Sequence, residues 1–203
     1  MQHYWHTLQG PMWFSATAIY RTQVKRAADG AVFVEVGAWK GRSAAFMAVE
    51  MVNSGKHIDF YTVDHWLGSD EAAHQDDPDV ASGRLFEVFC ANIEPVKHYV
   101  TPLRGCSTRV AARFPDRSLD FVYLDASHTY ADVRADLTAW WPKLKDNRVM
   151  AGDDWCFEHE QGNRGVARAV TEFFDAQGLD IAVEPGCPNP GWMQWLVLKG
   201  KGA

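Results

Sequence analysis

The chain contains 203 residues, 47% of them hydrophobic, and carries a formal net charge of −6. This length fits one large domain with a sizeable core better than two independent domains. The acidic balance without a Lys/Arg cluster disfavours a nucleic-acid partner and favours a small-molecule ligand. Because the chain shows neither a secretion-signal pattern nor an apolar run of membrane-spanning length, we expect a cytoplasmic protein with no membrane contact.

A leading helix is predicted over residues 11–28, where apolar residues recur at near-helical spacing. Strands are then predicted over residues 31–36, 58–63, 99–103, 119–124 and 148–151, and helices over residues 42–52, 84–93, 107–114, 131–141 and 165–177. Ser107 is expected to cap its helix. The last two strands, over residues 180–184 and 192–198, have only a Pro/Gly loop between them, so they are most simply antiparallel.

Alternating strands and helices predict an α/β fold with a Rossmann-like, doubly wound sheet. We expect seven strands, mostly parallel with an antiparallel last strand, and helices on both faces. Residues 1–203 would form one domain that begins with a helical segment over residues 1–30. The polar insert within residues 65–83 is either a solvated loop or a lid over the ligand cleft.

Two apolar runs end abruptly in carboxylates, at Asp125 and at Asp153-Asp154. Since ligands bind beyond the carboxyl ends of parallel strands, these acids are expected to share a cleft with His128. Oxygen ligands favour Mg²⁺, Mn²⁺ or Ca²⁺, and a nearby imidazole could serve as a general base. Alternatively, the acids are solvated or cap helices, and His128 is a surface residue.

The segment from Glu35 to Gly41 forms a strand-to-helix turn that can offer backbone N–H groups to a ligand. Trp39 occupies the position of the second glycine of the dinucleotide fingerprint, which disfavours NAD and FAD. Asp64, at the end of the next strand, can accept hydrogen bonds from ribose hydroxyls. A plain tight turn and a turn-forming acid are the alternatives.

Together these residues resemble the class I S-adenosylmethionine-dependent methyltransferases, specifically the cation-dependent small-molecule O-methyltransferases, from about Ala31 onward. The resemblance implies S-adenosyl-L-methionine and Mg²⁺ (or Mn²⁺/Ca²⁺) as cofactors. It implies metal ligation by Asp125, Asp153 and Asp154. It also implies cofactor contacts from Glu35, Gly37, Ala38, Gly41, Ser43, Asp64, His65, Cys106, Ser107 and Asp125.

The segments around Asp125, Asp136 and Asp153 are most similar to the macrocin and mycinamicin type of sugar O-methyltransferase. The catechol type has a lysine where this chain has His128, and an asparagine where it has Asp154. The macrolide enzymes also carry a large N-terminal portion that this sequence lacks. A related branch is associated with cephalosporin hydroxylation, so the fold alone does not fix the reaction.

The resemblance implies in-line methyl transfer to a hydroxyl of a small molecule, sugar-like or polyketide-like, with the metal on the three acids and His128 as the base. The alternatives are a cofactor-binding module without turnover and a metal-dependent hydrolase. The aromatic N-terminus, with Trp5, Trp13 and Phe14, could serve a homodimer contact. The four cysteines are far apart and are expected to be reduced thiols.

Overall fold

The computed structural model describes residues 1–158, 164–186 and 192–201. These residues contain one seven-stranded sheet, with strands β1 (Ala31–Val36), β2 (Ile58–Asp64), β3 (Thr101–Arg104), β4 (Leu119–Leu124), β5 (Leu144–Gly152), β6 (Ile181–Pro185) and β7 (Met193–Leu198). Their order is β3-β2-β1-β4-β5-β7-β6. The first five strands pair in parallel, and β7 is antiparallel to both of its neighbours, which confirms the predicted sheet.

The helices are α1 (Thr17–Arg26), α2 (Arg42–Ser54), α3 (Ala72–Gln75), α4 (Pro78–Ala81), α5 (Leu85–Ile93), α6 (Ser107–Ala111), α7 (Tyr130–Trp140) and α8 (Gly165–Asp175). Short 3₁₀ helices cover Trp5–Thr7, Glu94–Tyr99 and Trp141–Lys143. The insert within residues 65–83, predicted to be a solvated loop or a lid, is partly helical, because α3 and α4 lie in it. Asp77 caps α4 by accepting a hydrogen bond from the Asp79 N–H group, and proline occupies its first turn.

Two other predictions need correction. Ser107 does not cap α6, since Cys106 holds that position and the Ser107 hydroxyl donates to Asp136. The leading helix begins at Thr17 rather than near Pro11. Arg42 donates to the carbonyls of Trp5, Leu8, Gly10 and Pro11. The Pro11 carbonyl, which would accept an intrahelical hydrogen bond in a helix from residue 11, is therefore bound to Arg42 instead.

The core has two layers, one on each face of the sheet. Alternate residues of β4 point to opposite faces, so that Phe121 and Tyr123 join the layer beneath α1 and α2, while Val122 and Leu124 join the layer beneath α7 and α8. This double burial explains why β4 is a continuous apolar run. The packing fixes the carboxyl ends of the central strands on one edge of the sheet.

Within the described ranges, no helix is long and apolar enough to cross a membrane. Cys90, Cys106 and Cys156 are free thiols. Cys187, with the middle of the predicted Pro/Gly loop, lies outside the described residues.

Candidate functional site

A cavity of about 810 Å³ lies beyond the carboxyl ends of β1, β2, β4 and β5. Its size is near the upper end for small-molecule sites, so it can hold two ligands side by side. One half is formed by the turn after β1, the end of β2 and the start of α6. The other half contains the carboxylates after β4 and β5 and is walled by the N-terminal segment and the insert.

Gly37 joins these two halves. Its φ of +89° favours glycine, and a Cβ there would overlap the carbonyl oxygen of Asp125. The Asp125 N–H group also donates to the Val36 carbonyl at 2.8 Å. The glycine is therefore required for the close approach of the β1 and β4 ends, which sets the position of Asp125.

Asp64 organises the turn after β1. Its Oδ2 accepts from the N–H groups of Ala38 at 2.9 Å and Trp39 at 3.0 Å, and its Oδ1 accepts from the N–H group of Trp66 at 2.7 Å. A carboxylate offers about four acceptor positions, so about one remains for a ligand hydroxyl. Asp64 and its neighbour His65 both line the cavity.

The start of α6 forms the far end of the first half. The Ser107 hydroxyl donates to Asp136 at 2.5 Å and accepts from the Trp140 indole at 2.8 Å, so this cavity-lining side chain is fixed by α7. Burial raises the pKa of Asp136 to about 6, although the bond from Ser107 opposes the shift. Cys106 also lines the cavity, and its pKa is lowered first by the hydrogen bond with Thr108.

Glu35, Gly41 and Ser43 do not line the cavity. Glu35 is 1% exposed beneath the turn and accepts from the Tyr20 hydroxyl at 2.6 Å. Burial raises its pKa to about 7 despite the opposing effects of Ser43 and Tyr20. The buried position of Glu35 indicates that it stabilises the turn and does not contact a ligand in the cavity.

Three donor groups meet at the border between the halves. One ligand atom each of Asp125, His128 and Asp154 lies within 4.8 Å of the other two. Burial, with the charges of Asp153 and Asp154, raises the pKa of Asp125 well above its usual range. A bound cation or proton would reduce the repulsion between these carboxylates and so stabilise the site.

Asp153 faces a different environment, although it also lines the cavity. Its Oδ1 accepts from the Gln194 amide at 2.9 Å and the Asp154 N–H group at 3.0 Å, while its Oδ2 accepts from the hydroxyls of Tyr123 at 3.2 Å and Ser15 at 3.4 Å. Burial raises its pKa to about 6. The structure therefore does not bring Asp153 into the three-group cluster.

His128 lies between two carboxylates. Its Nδ1 is 2.8 Å from Oε1 of Glu71, on the insert, and its Nε2 is 2.8 Å from Oδ2 of Asp154. Burial lowers the pKa of His128, but hydrogen bonds and charge from Asp154 and Glu71 outweigh it and raise the pKa to about 11. Both carboxylate contacts therefore favour the protonated form of the imidazole.

Aromatic side chains form the wall of the second half. Trp39 and His74 are stacked with ring centroids 4.1 Å apart, and Trp13 lies 5.6 Å from Trp39 and 5.5 Å from His74. Lys40 stabilises this wall by binding the insert, because its Nζ lies 2.7 Å from carboxylate oxygens of both Asp77 and Asp79. Sequence reasoning placed the insert near the cleft but identified neither Glu71 nor His74 as part of it.

The fold and the cleft define a class of protein, and comparison with known proteins agrees with it. Residues 34–155, more than half of the chain, match the family model described as a methyltransferase domain. The chain belongs to this family. A curated relative, the uncharacterized protein y4gI of Sinorhizobium fredii (strain NBRC 101917 / NGR234), is 25% identical over 121 residues, which are 60% of this chain and 13% of the relative. The match thus spans a small part of that relative's length.

Solved structures share the whole fold. An O-methyltransferase from Bacillus cereus in complex with SAH is 16% identical, with 90% of this chain and 78% of that chain covered and a TM-score of 0.60. The O-methyltransferase NovP is 14% identical, with 91% and 79% covered and a TM-score of 0.65. Fibrillarin from Aeropyrum pernix, with natively bound S-adenosyl-L-methionine, is 14% identical, with 90% and 73% covered and a TM-score of 0.60. At these identities the likeness establishes the fold alone.

Proposed function

We propose that this chain is an S-adenosylmethionine-dependent O-methyltransferase that methylates a hydroxyl of a small molecule. One observation carries the proposal. A single cavity joins the turn held by Asp64 to the cluster of Asp125, His128 and Asp154. The first half fits a nucleoside and the second half fits an oxygen nucleophile, and methyl transfer requires these two groups side by side. The family match and the cofactor-bound structures of the same fold support the cofactor assignment.

The cofactor would lie along the first half of the cavity. Gly37 and Ala38 would contact its methionine part, and Asp64 would use its remaining acceptor position for a ribose hydroxyl. Cys106 and Ser107 would contact the adenine. Glu35 and Ser43 would act from below, by holding the turn in place.

A divalent cation fits the second half, because buried carboxylates there repel one another and two of them, Asp125 and Asp154, have donor atoms close together. When bound, it would lower the pKa of the acceptor hydroxyl and stabilise its alkoxide. The described residues contribute the rest. The aromatic wall would shield the acceptor, and Trp13 and His74 would orient it. Its hydroxyl proton would leave to solvent, because Asp125 and Asp154 would hold the cation and Asp153 already accepts four hydrogen bonds. The predicted role of His128 as the base requires a neutral imidazole, which its contacts with Glu71 and Asp154 oppose.

Transfer of a labelled methyl group tests the proposal. The purified chain would be incubated with methyl-labelled S-adenosylmethionine, Mg²⁺ and either a catechol or a vicinal-diol sugar, and methyl ethers would be detected by mass spectrometry. We expect ether formation that Asp64→Ala reduces and Asp59→Ala does not, since Asp59 is exposed on the same strand at 49% of its side-chain surface. Tight cofactor binding without transfer to any hydroxyl would instead indicate a binding module. Failure to bind the cofactor would favour a hydrolase.

A further inference from the structure

We infer that the divalent-cation site of this cleft consists of Asp125, Asp154 and Nε2 of His128, with Glu71 as the outer carboxylate that orients His128. Asp153 is then a positioning residue and His128 is not a base. This inference rests on the proposed function only in assuming that the cleft takes a cation. It replaces the set of three aspartates expected from the sequence.

The distances among the three groups match the spacing of ligands around one ion. Two ligands about 2.1 Å from an octahedral ion are about 3.0 Å apart when adjacent and about 4.2 Å apart when opposite. Nε2 of His128 and Oδ2 of Asp154 are 2.8 Å apart, and atoms of all three residues lie within 4.8 Å. Small shifts therefore suffice to bring all three donors onto one cation.

The contact on the other side of the imidazole points to the same role. Histidines that bind metals almost always donate their second ring N–H to a carboxylate or carbonyl, which fixes the tautomer and leaves the other nitrogen free to ligate. Glu71 occupies that position, with Oε1 2.8 Å from Nδ1. Phe157 packs against the ring with centroids 4.6 Å apart, which holds the orientation.

Asp125 and Asp153 have different surroundings, and this difference also favours Asp125 as a ligand. Asp125 lines the cavity, and one of its carboxylate oxygens lies within 4.8 Å of ligand atoms of both His128 and Asp154. Asp153 instead accepts four hydrogen bonds and so fills about all of its acceptor positions. Because ligation would displace these donors, Asp153 is held out of the ligand set and orients Asp154 through its N–H group.

A ligand set with one imidazole has a chemical consequence. Magnesium and calcium prefer oxygen donors, whereas imidazole suits later first-row metals such as iron, nickel, copper and zinc. The site should therefore bind Zn²⁺ or Ni²⁺ more tightly than Mg²⁺. It also links the insert to the metal, since Glu71 belongs to that segment.

Binding of Mn²⁺ to the metal-free chain tests the ligand set without any measurement of activity. Pulsed electron paramagnetic resonance detects ¹⁴N coupling when a nitrogen ligates Mn²⁺. We expect this coupling in the wild type, a change when histidine is labelled with ¹⁵N, and its loss in His128→Ala. Asp153→Asn should keep the coupling, and Glu71→Gln should keep it while raising the Kd for Mn²⁺ by about 10- to 100-fold. Asp70→Asn, an equal charge change at an exposed neighbour, should leave the Kd within twofold.

Three results would overturn the inference. The first is Mn²⁺ binding in the wild type without nitrogen coupling. The second is loss of binding in Asp153→Asn, with unchanged binding in His128→Ala, in variants that keep the wild-type circular dichroism spectrum. The third is no Mn²⁺ binding at millimolar concentration, which would make Glu71, His128 and Asp154 a structural ion triad. Failure of methyl transfer with the coupling intact would instead refute the proposed function and leave the ligand set standing.

Discussion

Replacement of Arg42 by methionine should release the N-terminal segment from the cavity. Arg42 is 7% exposed, and its guanidinium donates to four backbone carbonyls, at 3.1 Å to Pro11, 2.7 Å to Leu8 and 2.8 Å to Gly10, and also to Trp5. The freed carbonyls are in a partly exposed segment and can accept hydrogen bonds from water, so the loss of each bond should cost about 1 kcal/mol. The local stability of this segment should fall by about 4 kcal/mol, which corresponds to about a thousandfold increase in opening.

Hydrogen exchange of peptides that cover residues 4–14 measures this opening, because the N–H groups of Thr7 and Leu8 are hydrogen-bonded there. Arg21→Met is the matched control, since Arg21 is 58% exposed and its ion pair with Glu50 contributes little. The Michaelis constant for the acceptor should rise in Arg42→Met because Trp13 and Phe14 line the cavity. Exchange within twofold of the wild type over residues 4–14 would refute the reasoning.

Three further predictions concern the turn, the insert and the buried acid beneath the site. Gly37→Ala should destabilise the fold by about 2 kcal/mol or more, because of its positive φ and the overlap of a Cβ with Asp125. Gly55→Ala, with φ of +69° and open space around it, should cost about 1 kcal/mol. Equal losses of stability of the two variants in thermal unfolding would contradict this prediction. Lys40→Met should destabilise the fold by about 3 kcal/mol and expose Glu71 to Glu-C protease, because the nearly buried Asp77 loses its cation and Asp79 keeps only its contact with Arg84 at 3.4 Å. Unchanged cleavage would show that other contacts hold the insert in place. The folded-state pKa of Glu35 is raised from 4.5 to about 7, so its protonated form stabilises the fold below about pH 4.5 and this stability is lost as the pH rises to about 7. The free energy of unfolding of Glu35→Gln, measured with urea, should therefore rise relative to that of the wild type by on the order of 3 kcal/mol between pH 4.5 and pH 7. A difference between the two proteins that stays constant over this pH range would argue against a buried charge.

The sheet could be predicted because its signals are local. Buried parallel strands are continuous apolar runs, and the predicted bounds of β1 and β4 agree with the structure residue by residue. The placement of Asp64 and Asp125 followed from the rule that parallel strands end at one edge. The helices of the insert were not predicted, because they depend on the Asp77 cap and on the bond from Asp77 to Lys40, 37 residues away.

The side-chain environments inside the cleft could not be predicted in the same way. Asp153 and Asp154 are adjacent in the sequence, yet one is surrounded by donors and the other faces His128. Those donors come from Ser15 and Gln194, which are 138 and 41 residues away from Asp153. No local pattern marks either of them, and Glu71 is likewise 57 residues from His128.

We propose that the turn held by Asp64 binds S-adenosylmethionine, and calorimetry with S-adenosylhomocysteine tests this binding most directly. We predict one saturable site per chain and a Kd that Asp64→Ala raises by about 10- to 100-fold, as expected for loss of a hydrogen bond to a charged group. Asp59→Ala should leave the Kd unchanged. Absence of heat at millimolar ligand, or equal binding by Asp64→Ala, would contradict the account.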